Sequence, residues 1–210
     1  MCGVMLDVHF VIVGALIGGA GQALYVRDTI LGHTRPNRVT WLLWTVAPLI
    51  AFAAELNAGV GLRALLPFTA GFGPLVIFTA TFIRRADSTR PAVWRISRLD
   101  AVCGALSVLG VIGWIATQQG LVAIASSIAA DALAWVPTIV KSWSEPESES
   151  ASVFVGGLAN STITLLTVDR LTAAVVAFPV YTLAVAITQL VLVAGRLGPR
   201  LVARSTLADE

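Results

Sequence analysis

Long apolar stretches interrupted by short groups of charges and turn residues set the pattern of this chain. The interruptions leave seven apolar segments, at about 8–26, 39–57, 64–83, 99–117, 121–140, 152–168 and 171–193. Each is close to the roughly 20 residues that let an α-helix cross the hydrocarbon core of a bilayer. A transmembrane β-barrel would instead show short segments of alternating polarity. The pattern therefore predicts an all-α membrane protein with seven transmembrane helices, of which the sixth is the shortest and most polar.

Composition removes the soluble alternative. Of 210 residues, 57% are apolar or aromatic and only 12% are charged, about half of the roughly 25% usual in a globular protein. Mean hydropathy is +0.84, so the charges cannot cover a water-facing surface. The two cysteines, Cys2 and Cys103, imply no bridge. No Lys or Arg precedes Asp7, and the apolar run that follows is longer than a signal h-region, so no cleaved signal is expected. Thirteen of the fourteen basic residues are Arg. With the abundance of Ala and Val, this bias points to a high-GC bacterial genome and a multi-pass protein of the bacterial inner membrane.

Lys and Arg set the expected orientation. Twelve basic residues follow the first, third and fifth segments or lie in the tail: Arg27, Arg35, Arg38, Arg84, Arg85, Arg90, Arg95, Arg98, Lys141, Arg196, Arg200 and Arg204. The opposite side carries Arg63 and Arg170. The N-terminus is expected outside and the C-terminus in the cytoplasm, with Trp41, Trp94 and Trp143 in the cytoplasmic headgroup layer. The connection at 84–98 is the longest and most basic. It reads as topology-setting charge beside anionic lipid, so the lipid bilayer is an expected partner and nucleic acid is not. The acidic run Glu145-Pro146-Glu147-Ser148-Glu149-Ser150 reads as a solvated loop, and Glu55 as an interfacial acid that snorkels to water.

The segments divide as three, one and three. The division predicts a first triple-helix bundle over 1–83, a basic loop and linker helix over 84–120, a second triple-helix bundle over 121–193, and a cytoplasmic tail over 194–210. An offset near 113 places Gly14, Gly18, Gln22 and Tyr25 on Ser127, Asp131, Trp135 and Thr138. An odd linker helix makes the two units parallel repeats. Pro137, then Lys141 four residues later, then Ser150 or Ser152 opening the next segment, with Asn160 inside it, resembles the PQ-loop superfamily, which includes the SWEET sugar transporters, cystinosin-like exporters and the KDEL receptor. The Pro-Gln dipeptide is replaced by Pro137-Thr138 and by Gly21-Gln22, and Pro48 stands where an Asn would be expected. The resemblance implies a pocket between the bundles that includes Asn160.

Depth arithmetic singles out candidate site residues. Asp131, Asn160 and Tyr181 each lie near the middle of their segments, at a common depth for about 1.5 Å of rise per residue. Ser127, Asp131, Trp135 and Thr138 share one helical face, as do Gly157, Asn160, Thr164 and Thr167. A carboxylate at the bilayer centre costs at least about 2.5 kcal/mol, so Asp131 is expected to face the bundle interior. A low-dielectric site favours the neutral form of a carboxyl, hence its reading as a proton-coupling residue. Trp135, Trp44, Tyr181 and Gln22 complete the expected substrate-binding set, with Gln22 placed near the cytoplasmic end of its helix. Gly14 and Gly18 read as a helix-packing pair. Pro48, Pro137 and Pro179 are read as hinges, because proline removes a backbone donor and kinks its helix.

No catalytic constellation is readable, and none for a cofactor. His9 and His33 belong to opposite faces, which leaves no paired-His metal site. The expected function is therefore transport of a small-molecule solute by alternating access. A non-transporting receptor or a structural subunit on the same fold is the alternative, and a homo-oligomer is compatible with either.

Overall fold

The computed structural model describes residues 6–83, 96–117 and 120–201, and every regular element among them is helical. The order is α1 (Phe10–Leu31), α2 (Arg38–Asn57), a 3-10 turn at Gly61–Ala64 running into α3 (Leu65–Ala80), α4 (Arg98–Thr117), α5 (Gly120–Ser144), a 3-10 turn at Pro146–Ser148, α6 (Ser152–Leu166) and α7 (Ala173–Val193). Cys2, most of the basic connection with Trp94, and Arg204 lie outside the described residues.

Five helical stretches are long and apolar enough to cross a membrane: Phe10–Leu31, Arg38–Asn57, Gly61–Ala80, Ile124–Ser144 and Ala173–Val193. α6 has 15 residues, a rise of about 22 Å against a core of about 30 Å. Large apolar side chains cover the outside of the bundle, among them Leu16, 70% exposed, and Val102, Leu109 and Ile112 on α4. Exposed apolar surface on this scale marks contact with lipid or another apolar phase.

Two helices run further than the charge pattern predicts. α1 continues past Arg27 and Asp28 and stops at Gly32, whose φ of 78° is the left-handed turn that closes a helix without a Cβ penalty. The His33 N–H donates back to the Asp28 carbonyl at 2.8 Å. Gln22 therefore lies near the middle of α1 and not near its end. α5 likewise runs through Lys141 to Ser144. α2 opens on Asn37, whose side-chain oxygen accepts from the N–H groups of Val39 (3.0 Å) and Thr40 (3.3 Å), as an N-cap does. α4 opens on a reciprocal cap: Ser97 N–H donates to Asp100 Oδ2 at 2.5 Å and Asp100 N–H to Ser97 Oγ at 3.2 Å. The Asn37 amide donates to Asp100, tying the starts of α2 and α4 together.

Within residues 10–80, α3 packs against both α1 and α2; within 120–193, α7 packs against both α5 and α6. The two groups meet along α1–α6 and α2–α5, and α4 lies on α5 and α2. Glycines permit the first of these crossings. A Cβ on Gly14 or Gly18 would meet Asn160, and one on Gly21 would meet the Ser152 carbonyl, so backbones approach closely as at small-residue crossings in membranes. The second crossing is bonded by hydroxyls and an indole. Ser127 Oγ donates to the Ala47 carbonyl at 2.5 Å, Thr40 Oγ1 to the Ala134 carbonyl at 2.9 Å, and Trp44 Nε1 to the Asp131 carbonyl at 3.3 Å.

Candidate functional site

A cavity of about 110 Å³ lies among α1, α2, α3, α5, α6 and α7, with only α4 contributing nothing to its wall. Five of the six expected binding residues line it: Gln22, Trp44, Asp131, Asn160 and Tyr181. The sixth, Trp135, does not. It packs against the buried apolar cluster of Tyr25, Trp41 and Trp44. Pro48 lines the cavity, whereas Pro137 and Pro179 are buried within α5 and α7 and stay off its wall.

The polar groups form three sets, one of them the Ser161 and Thr182 hydroxyls, 2.8 Å apart. On one side Tyr181 donates its hydroxyl to Asp131 Oδ2 at 2.5 Å. Asp131 is 6% exposed, and its Oδ1 has no hydrogen-bond partner among the described residues. Facing it, Asn160 Nδ2 donates to Thr69 Oγ1 at 3.0 Å and Gln22 Nε2 to the Thr69 carbonyl at 2.8 Å. Gln22 lies across α3 at Gly73, where a Cβ would occupy the space its amide fills. Its role is thus to tie α1 to α3 beside the cavity. Thr69 was not foreseen, because a single Thr in an apolar helix carries no signal until its neighbours are known. The remaining wall is largely apolar.

Two buried apolar clusters contribute side chains to the cavity wall. On one side stand Tyr25, Trp41, Trp44 and Phe154, with Tyr25 and Trp41 tilted at 4.8 Å and Trp41 and Trp44 edge-on at 5.2 Å. Trp41 is 1% exposed, so it belongs to the core and not to the headgroup layer; Trp143 is exposed. On the other side a smaller cluster joins Ala51, Leu66 and Phe178.

Beyond the aromatic cluster, the 32–37 and 145–151 connections meet around charges. Lys141 is wholly buried and pairs with Glu149, which also accepts from the Tyr25 hydroxyl. Lys141 Nζ donates to the Arg35 carbonyl at 2.8 Å, Arg35 pairs with Glu145, and Ser150 Oγ donates to Asp28 Oδ2 at 2.8 Å. This corrects the reading of 145–150 as a solvated loop. Glu147 faces water, but Glu149 is withdrawn from it because Lys141 and Tyr25 supply the donors a buried carboxylate needs. At the opposite end Arg63 pairs with Asp169 at 3.2 Å and donates Nε to the Thr167 carbonyl at 3.2 Å. Glu55 is only 2% exposed, with Oε1 unpartnered among the described residues. It is buried against protein, so the snorkelling reading fails. Gln189 on α7 is fully buried with both amide atoms unpartnered among the described residues.

Compared with family models, curated proteins and solved structures, the chain matches none.

Proposed function

We propose that this chain is a small-solute transporter of the cell membrane, with the cavity as its solute site. The observation that carries the reading is a mostly apolar cavity holding a buried carboxylate, walled by helices from both halves of the chain. Ligand sites have this character: apolar walls with a few convergent polar groups. Charged groups deep in membrane helices mark substrate, ion or proton pathways.

The packing supports reading residues 1–83 and 121–193 as parallel repeats of three helices with α4 as linker, resembling the PQ-loop superfamily. Exchanging the two halves turns the α1–α6 crossing into α5–α2 and leaves the middle position of α3 and α7 unchanged. Ser127 bonds Ala47 where Gly14 meets Asn160, and both pairs are related by the 113-residue offset. Leu66-Pro67 and Phe178-Pro179, 112 apart, follow the same relation, and Leu66 shares a cluster with Phe178. The balance of Lys and Arg supports reading the end with Lys141 and Glu149 as cytoplasmic, in a bacterial inner membrane. In this reading the halves rock about the cavity, Pro48, Pro137 and Pro179 ease the bending of their helices, and Asp131 carries a coupling proton.

The test is solute flux into proteoliposomes as a function of pH, with Asp131→Asn beside the parent chain. Among the described residues, Asp131 and Tyr181 are the only titratable groups on the cavity wall. Flux in the parent chain is expected to vary with pH, and Asp131→Asn to abolish it or free it from pH. Unchanged pH dependence in the variant removes the coupling role. No flux of any solute leaves the receptor or structural-subunit reading.

A further inference from the structure

Resting on the reading of the cavity as a solute site, the geometry points to the class of solute: we propose that the cavity takes a compact organic ammonium ion, bound by Asp131 and faced by Trp44. Charge is the first argument. Among the described residues no Lys, Arg or His lines the cavity, and Asp131 is the one acid that does. A buried carboxylate is costly unless paired and hydrogen-bonded. Tyr181 satisfies Oδ2 and leaves Oδ1 without a partner among the described residues. The buried cation of the same helix, Lys141, lies ten residues further on, about 15 Å along the axis, and is engaged by Glu149 and the Arg35 carbonyl.

Hydrogen-bond chemistry is the second argument. A carboxylate offers about four acceptor sites, and Asp131 Oδ1 is not occupied by a partner among the described residues. The amide donors of Asn160 and Gln22 are both directed at Thr69. The Tyr181, Thr69 and Thr182 hydroxyls and the Trp44 indole on the wall also donate to protein acceptors, whereas an ammonium group brings three donors with its charge. A bare metal cation fits poorly, because it needs a cage of oxygens and this wall is largely apolar. Alkyl carbons suit that wall, and indole faces such as that of Trp44 attract cations.

Size sets the limit. A cavity of about 150 Å³ holds benzene, with six heavy atoms, so about 110 Å³ admits a ligand of roughly four heavy atoms by the same scale. Small primary alkylammonium ions meet all three conditions.

The test is calorimetric titration and thermal unfolding of the purified full chain in detergent. The probes are propylammonium, its neutral counterpart 1-propanol, propionate and sodium chloride at matched ionic strength. Propylammonium is expected to bind saturably and raise the unfolding temperature, as a ligand of the native state does. The other three are expected to do neither. Asp131→Asn is expected to weaken binding about thirtyfold or more, and Asp131→Glu to retain part of it. If Asp131→Asn does not fold, the ranking of the four probes on the parent chain decides. Equal or tighter binding of 1-propanol, propionate or sodium overturns the proposal, as does no propylammonium binding, or propylammonium binding that Asp131→Asn leaves intact. The measurement needs no flux, so the two readings fail separately. Amine binding without flux removes transport alone, and flux of another solute without amine binding removes the amine alone.

Discussion

The two ends of the bundle are held together by different chemistry. Where the 32–37 and 145–151 connections meet, seven buried residues centred on Tyr25, Trp41 and Phe154 lie under an ion pair that water does not reach. Where the 58–64 and 167–172 connections meet, a buried cluster of three residues lies near Arg63 and Asp169, whose side chains are 16% and 57% exposed. A buried pair forfeits hydration and returns it only while both partners stay in place. A surface pair is cheap to make and cheap to break. Parting the first end would expose Lys141 and Glu149 together, whereas parting the second would separate a small apolar contact and an ion pair with one partner, Asp169, already half exposed. The thinner closure is the one expected to yield first.

The largest effect should come from separating the buried pair. Lys141→Met and Glu149→Gln are each expected to cost about 3–5 kcal/mol, because each strands an uncompensated charge or its donors. The double variant should cost less than the two singles added, as residues in contact are coupled. Denaturant unfolding in detergent, followed by tryptophan fluorescence, measures all three. Singles that cost no more than loss of Arg63 would mean that the two closures are equivalent.

The α1–α6 crossing sharpens the comparison, since it runs between the two ends. Gly21→Ala drives a methyl group into the Ser152 carbonyl and is expected to cost about 1–3 kcal/mol by overpacking. Gly19, two residues earlier, has open space at its Cβ. Gly19→Ala should stabilise by about 0.5–1 kcal/mol through helix propensity alone. If both substitutions shift the melting temperature in the same direction, the close approach of α1 and α6 is not what holds the halves together.

The middle of the molecule was more legible in the sequence than either end. Asp131 stands out because an acid in an apolar segment has no lipid-facing place, and depth arithmetic then finds Tyr181 and Asn160 beside it. The helices follow from apolar run length, and the face shared by Ser127 and Asp131 from 3.6-residue periodicity. The charge cluster was not legible, because charges near a helix end look solvated whatever their partners. Tyr25 meets Glu149 across 124 residues, and no local spacing records that. The same habit cut α1 short at Arg27, moving Gln22 toward an end it does not occupy, and placed Trp41 at a headgroup layer. Trp135 shares a helical face with Asp131, yet one further turn carries it from the cavity wall to the cluster beneath.

At the cavity itself a middle-sized effect is expected. Tyr181→Phe removes the hydroxyl that donates to Asp131 and leaves neither carboxyl oxygen bonded among the described residues. Loss of one partner of a buried polar pair costs about 1–3 kcal/mol, so unfolding should become easier by that amount at a pH where Asp131 is ionised. A Tyr181→Phe, Asp131→Asn double variant should recover part of the loss, since the uncompensated charge goes with it. No recovery in the double variant would make the tyrosine a packing residue alone.

The smallest effect on stability belongs to Arg63, and it bears most directly on which end opens. Arg63→Ala removes an ion pair to a half-exposed Asp169 and the bond to the Thr167 carbonyl, with an expected cost of about 1 kcal/mol. If that cost falls on the closed form of this end, 1 kcal/mol raises the open population about fivefold. A cysteine at Thr69, on the cavity wall, reads that population by its rate of maleimide labelling, with Cys2 and Cys103 replaced by Ser. Labelling should accelerate severalfold in Arg63→Ala while the unfolding midpoint barely moves. High salt on the unsubstituted Arg63 background should imitate the acceleration, because screening acts on exposed pairs and spares buried ones. A labelling rate indifferent to both would show that the Leu66–Phe178 contact, and not the surface pair, closes this end.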